Sequence, residues 1–156
     1  MMPAEVDVLL ADDDSADAEL ILTSLGAGSV GRRVHVARDG EEALDFVFCR
    51  AAYAVRVAVA PPRLVLLDIK LPKVTGLDVL KQIKRDPRTR FIPVVMLTSS
   101  NLRRDVALGY AFGANSYVQK PLDFGTFRET VALLGTYWLT MNVAVPPGFL
   151  ADGPGR

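Results

Sequence analysis

Leu64-Val65-Leu66-Leu67-Asp68-Ile69-Lys70-Leu71-Pro72 runs four apolar residues into an acid and closes on a proline. A continuous apolar run of this length, entered after Pro61-Pro62, reads as a strand buried on both faces, as in a parallel sheet. Carboxylates are rarely buried without a partner, so Asp68 belongs at the strand's carboxyl end, where the sheet meets water. In open parallel sheets that edge is where ligands bind. Taken alone, Asp68 is equally well an acid that ends a strand and starts a turn.

The flanking sequence repeats the pattern. Val6-Asp7-Val8-Leu9-Leu10-Ala11 is a short strand that ends in Asp12, Asp13 and Asp14. Ser15 follows as a capping residue, and Ala18, Ile21, Leu22 and Leu25 recur on one face of a helix that Gly26 and Gly28 stop. Val34-His35-Val36-Ala37 is a second strand. Asp39-Gly40-Glu41-Glu42 opens a helix with acids where its dipole favours them, and Leu44, Val47, Phe48 and Ala51 form its stripe. Residues 50–62 read as an extended helix end followed by a loop. After the central strand Thr75 caps a helix with Val79, Leu80 and Ile83 inward. Lys81, Lys84 and Arg85 lie outward, with Arg88 and Arg90 beyond, a basic run that reads as a solvated face open to an acidic partner. Pro93-Val94-Val95-Met96-Leu97 is the fourth strand and ends in Thr98-Ser99-Ser100. The helix over about 101–112 has a thin stripe of Val106, Gly109 and Tyr110, so its stability comes from packing. Asn115-Ser116-Tyr117-Val118-Gln119 is the fifth strand and ends in Lys120-Pro121. Asp123 caps a last helix with the stripe Phe127, Val131, Leu134, Trp138 and Met141. Strands joined five times by helical crossovers must be parallel, which gives a three-layer α/β fold.

Composition narrows the classes of function. At 156 residues the chain suits one domain, expected over 1–142, with a tail over 143–156. Its 18 basic and 18 acidic residues leave no net field to draw nucleic acid or an anionic membrane. The single cysteine, Cys49, excludes an internal disulfide and reads as core packing. The lone histidine, His35, makes neither a metal site nor a catalytic pair. Met1 to Glu5 carry no basic n-region, so a cytoplasmic protein is expected. The neutral run from Thr130 to Ala151 is broken by Gly135, Asn142 and Pro146-Pro147, short of the roughly 20 apolar residues a membrane span requires.

The unusual residues all close strands. Asp12 and Asp13 follow the first, Asp68 the third, Thr98 the fourth and Lys120 the fifth, so a parallel sheet gathers them on one edge. Three carboxylates about 5 Å apart repel by roughly 3 kcal/mol per pair at an effective dielectric of 20, and a cation relieves this. Donors that are all oxygen suit Mg²⁺. With a lysine and a hydroxyl added, the set holds what is needed to move a phosphoryl group onto a carboxylate.

On these residues the chain resembles the receiver domains of two-component response regulators. The match lies in Asp12-Asp13, in Leu66-Leu67-Asp68 with Leu71-Pro72 and Gly76, in Thr98-Ser99 and in Lys120-Pro121, across about 6–141. Each motif is weak alone; four in order, each closing a strand, are specific. The resemblance implies a flavodoxin-like (βα)5 fold with strand order 2-1-3-4-5. It implies Asp68 as phosphoacceptor, and Mg²⁺ on Asp13, Asp68 and the backbone carbonyl of Lys70, with Asp12 helping through water. Thr98 bonds the phosphoryl group, Lys120 pairs with it after a cis bond to Pro121, and Tyr117 is the aromatic switch. The 41–62 stretch and the ending Tyr137-Trp138-Leu139-Thr140 look like the stand-alone regulators of bacterial phytochromes. The implied partner is a sensor histidine kinase, here a phytochrome. Leu133, Tyr137 and Leu139 are apolar residues off the core stripe of the last helix, and this second apolar face points to a second copy bound through the fourth and fifth helices. Neither nucleic acid nor membrane is expected. Two other readings compete. One is a degenerate receiver that only binds proteins. The other is an aspartate-nucleophile phosphatase, which needs an acid where this chain has Lys70.

Overall fold

The computed structural model describes residues 4–26 and 32–146. Short strands of four or five residues form the sheet: β1 (Val8–Ala11), β2 (Val34–Ala37) and β3 (Leu64–Leu67), followed by β4 (Val94–Thr98) and β5 (Ser116–Gln119), with β1, β3 and β4 fully buried. All pairs are parallel, in the order β2-β1-β3-β4-β5, and Val8 to Ala11 of β1 register with Leu64 to Leu67 of β3. The expected fold class and strand order therefore hold.

Side chains alternate across a strand, so each buried strand feeds two cores. Leu9, Val65, Leu67 and Met96 point to the layer of α2 (Gly40–Val47) and α3 (Gly76–Arg85), where they meet Phe46, Leu80 and Ile83. Val8, Leu10, Leu64 and Leu66 point to the layer of α1 (Ser15–Ser24) and α5 (Phe124–Thr136), where they meet Ile21, Leu25, Phe127 and Val131. The remaining helix, α4 (Arg103–Ala111), lies on β5, and its Gly109 lets Tyr117 and Met96 approach. Both layers are thus filled mainly by aliphatic and aromatic side chains.

Several local expectations are corrected. Asp14, not Ser15, caps α1, because its carboxylate accepts from the Asp17 N–H. Gly26 does end that helix in the left-handed region, at φ 69°, while Gly28 lies outside the described residues. The α2 helix stops at Val47, so Phe48 is only half-buried and Ala51 is exposed. Cys49 takes the left-handed turn after it, at φ 54°, and is half-exposed rather than packed in the core.

Much of 50–62 is a 3₁₀ segment, Ala51–Ala58, held by side chains that periodicity does not reveal. Arg56 is buried with its guanidinium 4.0 Å from the Phe46 ring centroid and donates to the Ala4 carbonyl. Tyr53 donates to Glu42 at 2.8 Å and lies 3.0 Å from the His35 ring nitrogen. Burial and the Glu42 carboxylate push the Tyr53 phenol up to about 12. His35 is therefore a structural residue that ties β2 to this segment.

The last helix changes pitch. Tyr137–Met141 forms a π-helical turn after α5. An i→i+5 turn is wider than an α-turn and shifts the buried face along the chain. Leu139 is consequently inside at 5% exposure, whereas Met141 is outside at 66%. Both placements reverse the expectation. Trp138 is half-buried against the α1–α5 core, and Tyr137 is exposed. Residues 143–146 carry no regular structure, and the rest of the expected tail lies outside the described residues. Among the described residues no helix is long and apolar enough to cross a membrane.

Candidate functional site

The sheet ladder extends one residue past each strand and sets the height of the site. Asp12 N–H donates to the Ala37 carbonyl, Asp68 N–H to Ala11 at 3.0 Å, and Lys120 N–H to Thr98 at 2.7 Å. Asp12, Asp68, Thr98 and Lys120 are buried at this edge, and Asp13 is exposed beside them. Carboxylate oxygens of Asp12, Asp13 and Asp68 lie within 4.8 Å of one another. All the side chains expected at the edge are therefore brought together.

One ammonium serves most of this charge. Lys120 Nζ lies 2.8 Å from Asp12, 2.8 Å from Asp17 and 3.0 Å from Asp68. Burial alone would draw Lys120 down, but hydrogen bonds to Asp12 and Asp17 and the charge of Asp68 reverse this and hold it well above an ordinary lysine. Burial pushes the Asp12 carboxyl up, and Lys120 pulls it part of the way back. The Asp68 carboxylate is fixed at both oxygens: Oδ1 accepts from the Ile69 N–H at 2.7 Å and Oδ2 from Lys120.

Four carboxylates against one ammonium leave the edge strongly negative. Their donor atoms are all oxygen, and Asp13 opens to water. That set fits a hard divalent cation that keeps part of its hydration. Among the described residues no donor reaches the Lys70 carbonyl, two positions past Asp68, so it remains a free acceptor.

The β3–α3 loop is set by close backbone approach. Gly76 N–H donates to Ile69 at 2.8 Å, and a Cβ on Gly76 would lie 1.8 Å from the Asp68 carbonyl oxygen. Gly40, at the start of α2, meets the same loop, where a Cβ would lie 1.9 Å from the Val74 oxygen. Lys73, in the left-handed region at φ 68°, pairs with Asp39 at 3.4 Å and Glu41 at 3.8 Å.

On the other side, Thr98 joins a network that reaches the surface. Its Oγ1 accepts from the Ser100 N–H at 3.3 Å, and the Ser100 hydroxyl donates to Asp105 at 2.5 Å. Tyr117, half-buried, donates to the Ser100 carbonyl at 2.9 Å. Thr98 and Tyr117 are therefore both hydrogen-bonded to Ser100.

Two parts of the site differ from the expectation. Among the described residues there is no cis peptide, so the Lys120–Pro121 bond is trans, the generally favoured state; three carboxylates hold the Lys120 side chain. Asp17, Ser100 and Asp105 were not anticipated. Asp17 is legible only as a first-turn acid of α1, and the strand-end pattern does not reach side chains that helices lean over the edge.

A doubly wound parallel sheet with paired acids, a hydroxyl and a lysine along its carboxyl edge defines the receiver class of signalling domain. A model of the response regulator receiver domain family matches residues 8–132, and the chain belongs to that family. It is 40% identical over 140 residues to a probable methanogenesis regulatory protein, FilR2, of Methanothrix harundinacea, covering 90% of this chain and 88% of the relative. It is 33% identical over 132 residues to response regulator Rcp1 of Synechocystis sp., covering 85% of this chain and 88% of Rcp1. The Mn²⁺-bound form of Rcp1 superimposes with a TM-score of 0.82 at 31% identity, over 89% of this chain and 98% of that one. The phosphorylated cyanobacterial phytochrome response regulator RcpA gives 0.84 at 32% identity, over 92% of this chain and all of its own.

Proposed function

We propose that this protein is a response regulator whose receiver domain accepts a phosphoryl group on Asp68 from a sensor histidine kinase. One observation carries the reading: Asp68 is buried with one oxygen on the Ile69 N–H, the other on Lys120, and two acids beside it. An Asp68 oxygen forms the new bond to phosphorus as the bond to the donor's nitrogen breaks, and the donor imidazole leaves with the electron pair. Lys120 holds positive charge at 3.0 Å from the nucleophile and turns it to the phosphoryl oxygens. The Thr98 hydroxyl donates to one of those oxygens and gives up the Ser100 N–H, which loosens the carbonyl on which Tyr117 rests. Asp12, Asp13, Asp68 and the Lys70 carbonyl would hold Mg²⁺, which supplies charge neutralisation when bound.

Likeness to a phytochrome regulator over nearly the whole of both chains supports a phytochrome as the cognate kinase. A binding-only receiver is disfavoured because no member of the edge set is missing. The phosphatase reading is disfavoured because Lys70 stands where a second acid is needed. Incubation with acetyl phosphate and Mg²⁺, followed by intact-mass measurement, separates these readings. The wild type is expected to gain one hydroxylamine-labile phosphate, and Asp68→Asn none while remaining folded. Phosphate on the variant would place the acceptor elsewhere, and rapid turnover would favour the phosphatase.

The same reading includes a homodimer through α4 and α5. Tyr110 on α4, Leu133 on α5 and Tyr137 in the turn that follows it are exposed at 53%, 71% and 48%, while Leu139 turns inward and leaves the set. Leu133→Asp is expected to lower self-association at an unchanged melting temperature. Trp138→Ser should instead lower the melting temperature, because its ring packs on the α1–α5 core. Sedimentation and thermal melts on the same samples check both. A Leu133→Asp protein that still dimerises rules this face out.

A further inference from the structure

Asp17 is the one carboxylate on Lys120 that lies outside the cluster of Asp12, Asp13 and Asp68. Its Oδ2 accepts from Nζ at 2.8 Å, as closely as Asp12 does and closer than Asp68 at 3.0 Å. An ammonium has three donors, and these three carboxylates take them all. The residue rides on the first turn of α1, and that turn is rigid. Ala18 in that turn is fully buried, as are Ile21 and Leu25 further along the same helix face, and the Asp17 N–H is capped by Asp14 at 2.9 Å.

The three anchors are not equivalent. A divalent cation at the edge would draw on the carboxylates of Asp12 and Asp68, two of the three that hold Lys120. Asp17 is not part of that cluster, so its carboxylate stays available to Lys120 when a cation engages the others. A lysine released from its other partners has a flexible four-carbon stem to reorder at the moment of transfer.

We propose that Asp17 is a positioning residue that keeps the Lys120 ammonium aimed at Asp68 while a divalent cation engages the other two carboxylates. It takes one N–H of Lys120 and leaves two for phosphoryl oxygens. The inference rests on Asp68 as phosphoacceptor, but its first test does not.

Asp17→Ala and Asp17→Asn are compared with the wild type at saturating Mg²⁺, after melts show that both are folded. The first readout is acetylation of Lys120 by acetic anhydride, followed by peptide mass spectrometry and normalised to the exposed Lys70. Asp17→Ala is expected to label several-fold faster, because its ammonium has lost the anchor that Mg²⁺ leaves in place. The second readout is the rate of phosphorylation by acetyl phosphate. It should fall about fivefold in Asp17→Ala and less in Asp17→Asn, whose amide oxygen still accepts, while half-saturation by Mg²⁺ stays within about twofold. Unchanged Lys120 labelling overturns the proposal. So does phosphorylation at or above the wild-type rate, which would make Asp17 a competitor for Lys120. A rate restored by excess Mg²⁺ also overturns it, since Asp17 would then belong to the ion's surroundings. If the wild type takes no phosphate on Asp68, the proposed function fails and the labelling result alone decides Asp17.

Discussion

Lys120→Met is expected to lower stability by about 3–5 kcal/mol at neutral pH, the cost of leaving buried charges without their partner. Asp12 is 1% exposed and Asp68 7%, and both lose the one ammonium paired with them among the described residues. Their like charges then face each other in a poorly solvated edge, and Asp12, already pushed up by burial, loses the lysine that pulls it part of the way back. A carboxyl raised in the folded state contributes stability at pH below its unfolded pKa and loses it as pH rises through the folded pKa. The deficit relative to wild type should therefore shrink as pH falls from 7 towards 5. Mg²⁺ should also shrink it, because without the competing ammonium the carboxylates bind the ion more tightly than in the wild type, and each tenfold gain in affinity at saturation adds about 1.4 kcal/mol. Urea unfolding at two pH values, with and without Mg²⁺, checks all three effects. A variant as stable as wild type, or one indifferent to Mg²⁺, would show that the edge charges are not coupled through Lys120.

Gly76→Ala is expected to disable the site and destabilise the fold together. A Cβ there would lie 1.8 Å from the Asp68 oxygen, 2.7 Å from its carbonyl carbon and 2.8 Å from the Ile69 Cα. All three atoms are backbone, so no rotamer change relieves the overlap; the β3–α3 loop must move. Helix propensity works in the opposite direction, since alanine at the start of α3 is favoured over glycine by roughly 0.5–1 kcal/mol. Overpacking against rigid backbone costs about 1–3 kcal/mol or more and outweighs that gain. A shift of about 1 Å in Asp68 can cost on the order of a hundredfold in rate. Denaturant unfolding should therefore show a net loss of stability, and acetyl phosphate should label the variant about a hundred times more slowly. A stabilised Gly76→Ala protein would mean that propensity, not contact, governs this position.

Much of this architecture is legible in the sequence because the signals are local. Four apolar residues ending in a carboxylate state both that a strand is buried on two faces and where it must stop. The parallel crossovers then bring Asp12, Asp13, Asp68, Thr98 and Lys120 to one edge, whatever the details of the helices. Caps at Thr75 and Asp123 are equally local, and the carboxylates and hydroxyls that act there are in the chain to be read.

What the sequence left undetermined depends on contacts between distant residues. Asp17 carries no signal beyond a first-turn acid, yet it shares the Lys120 ammonium 103 positions away. The register of the final turn is not written in its periodicity, since a π-helical step moved Leu139 inward and Met141 outward. Residues 51–58 have no clear period of their own, and their place is fixed by Arg56 on Phe46 and by Tyr53 between His35 and Glu42. Sequence by itself determined the strands, their shared edge and the chemistry gathered there, because burial and periodicity act over a few neighbours. Only the tertiary structure decided which carboxylates hold the lysine and which apolar side chains remain outside, because those outcomes follow from where packed elements lean on one another.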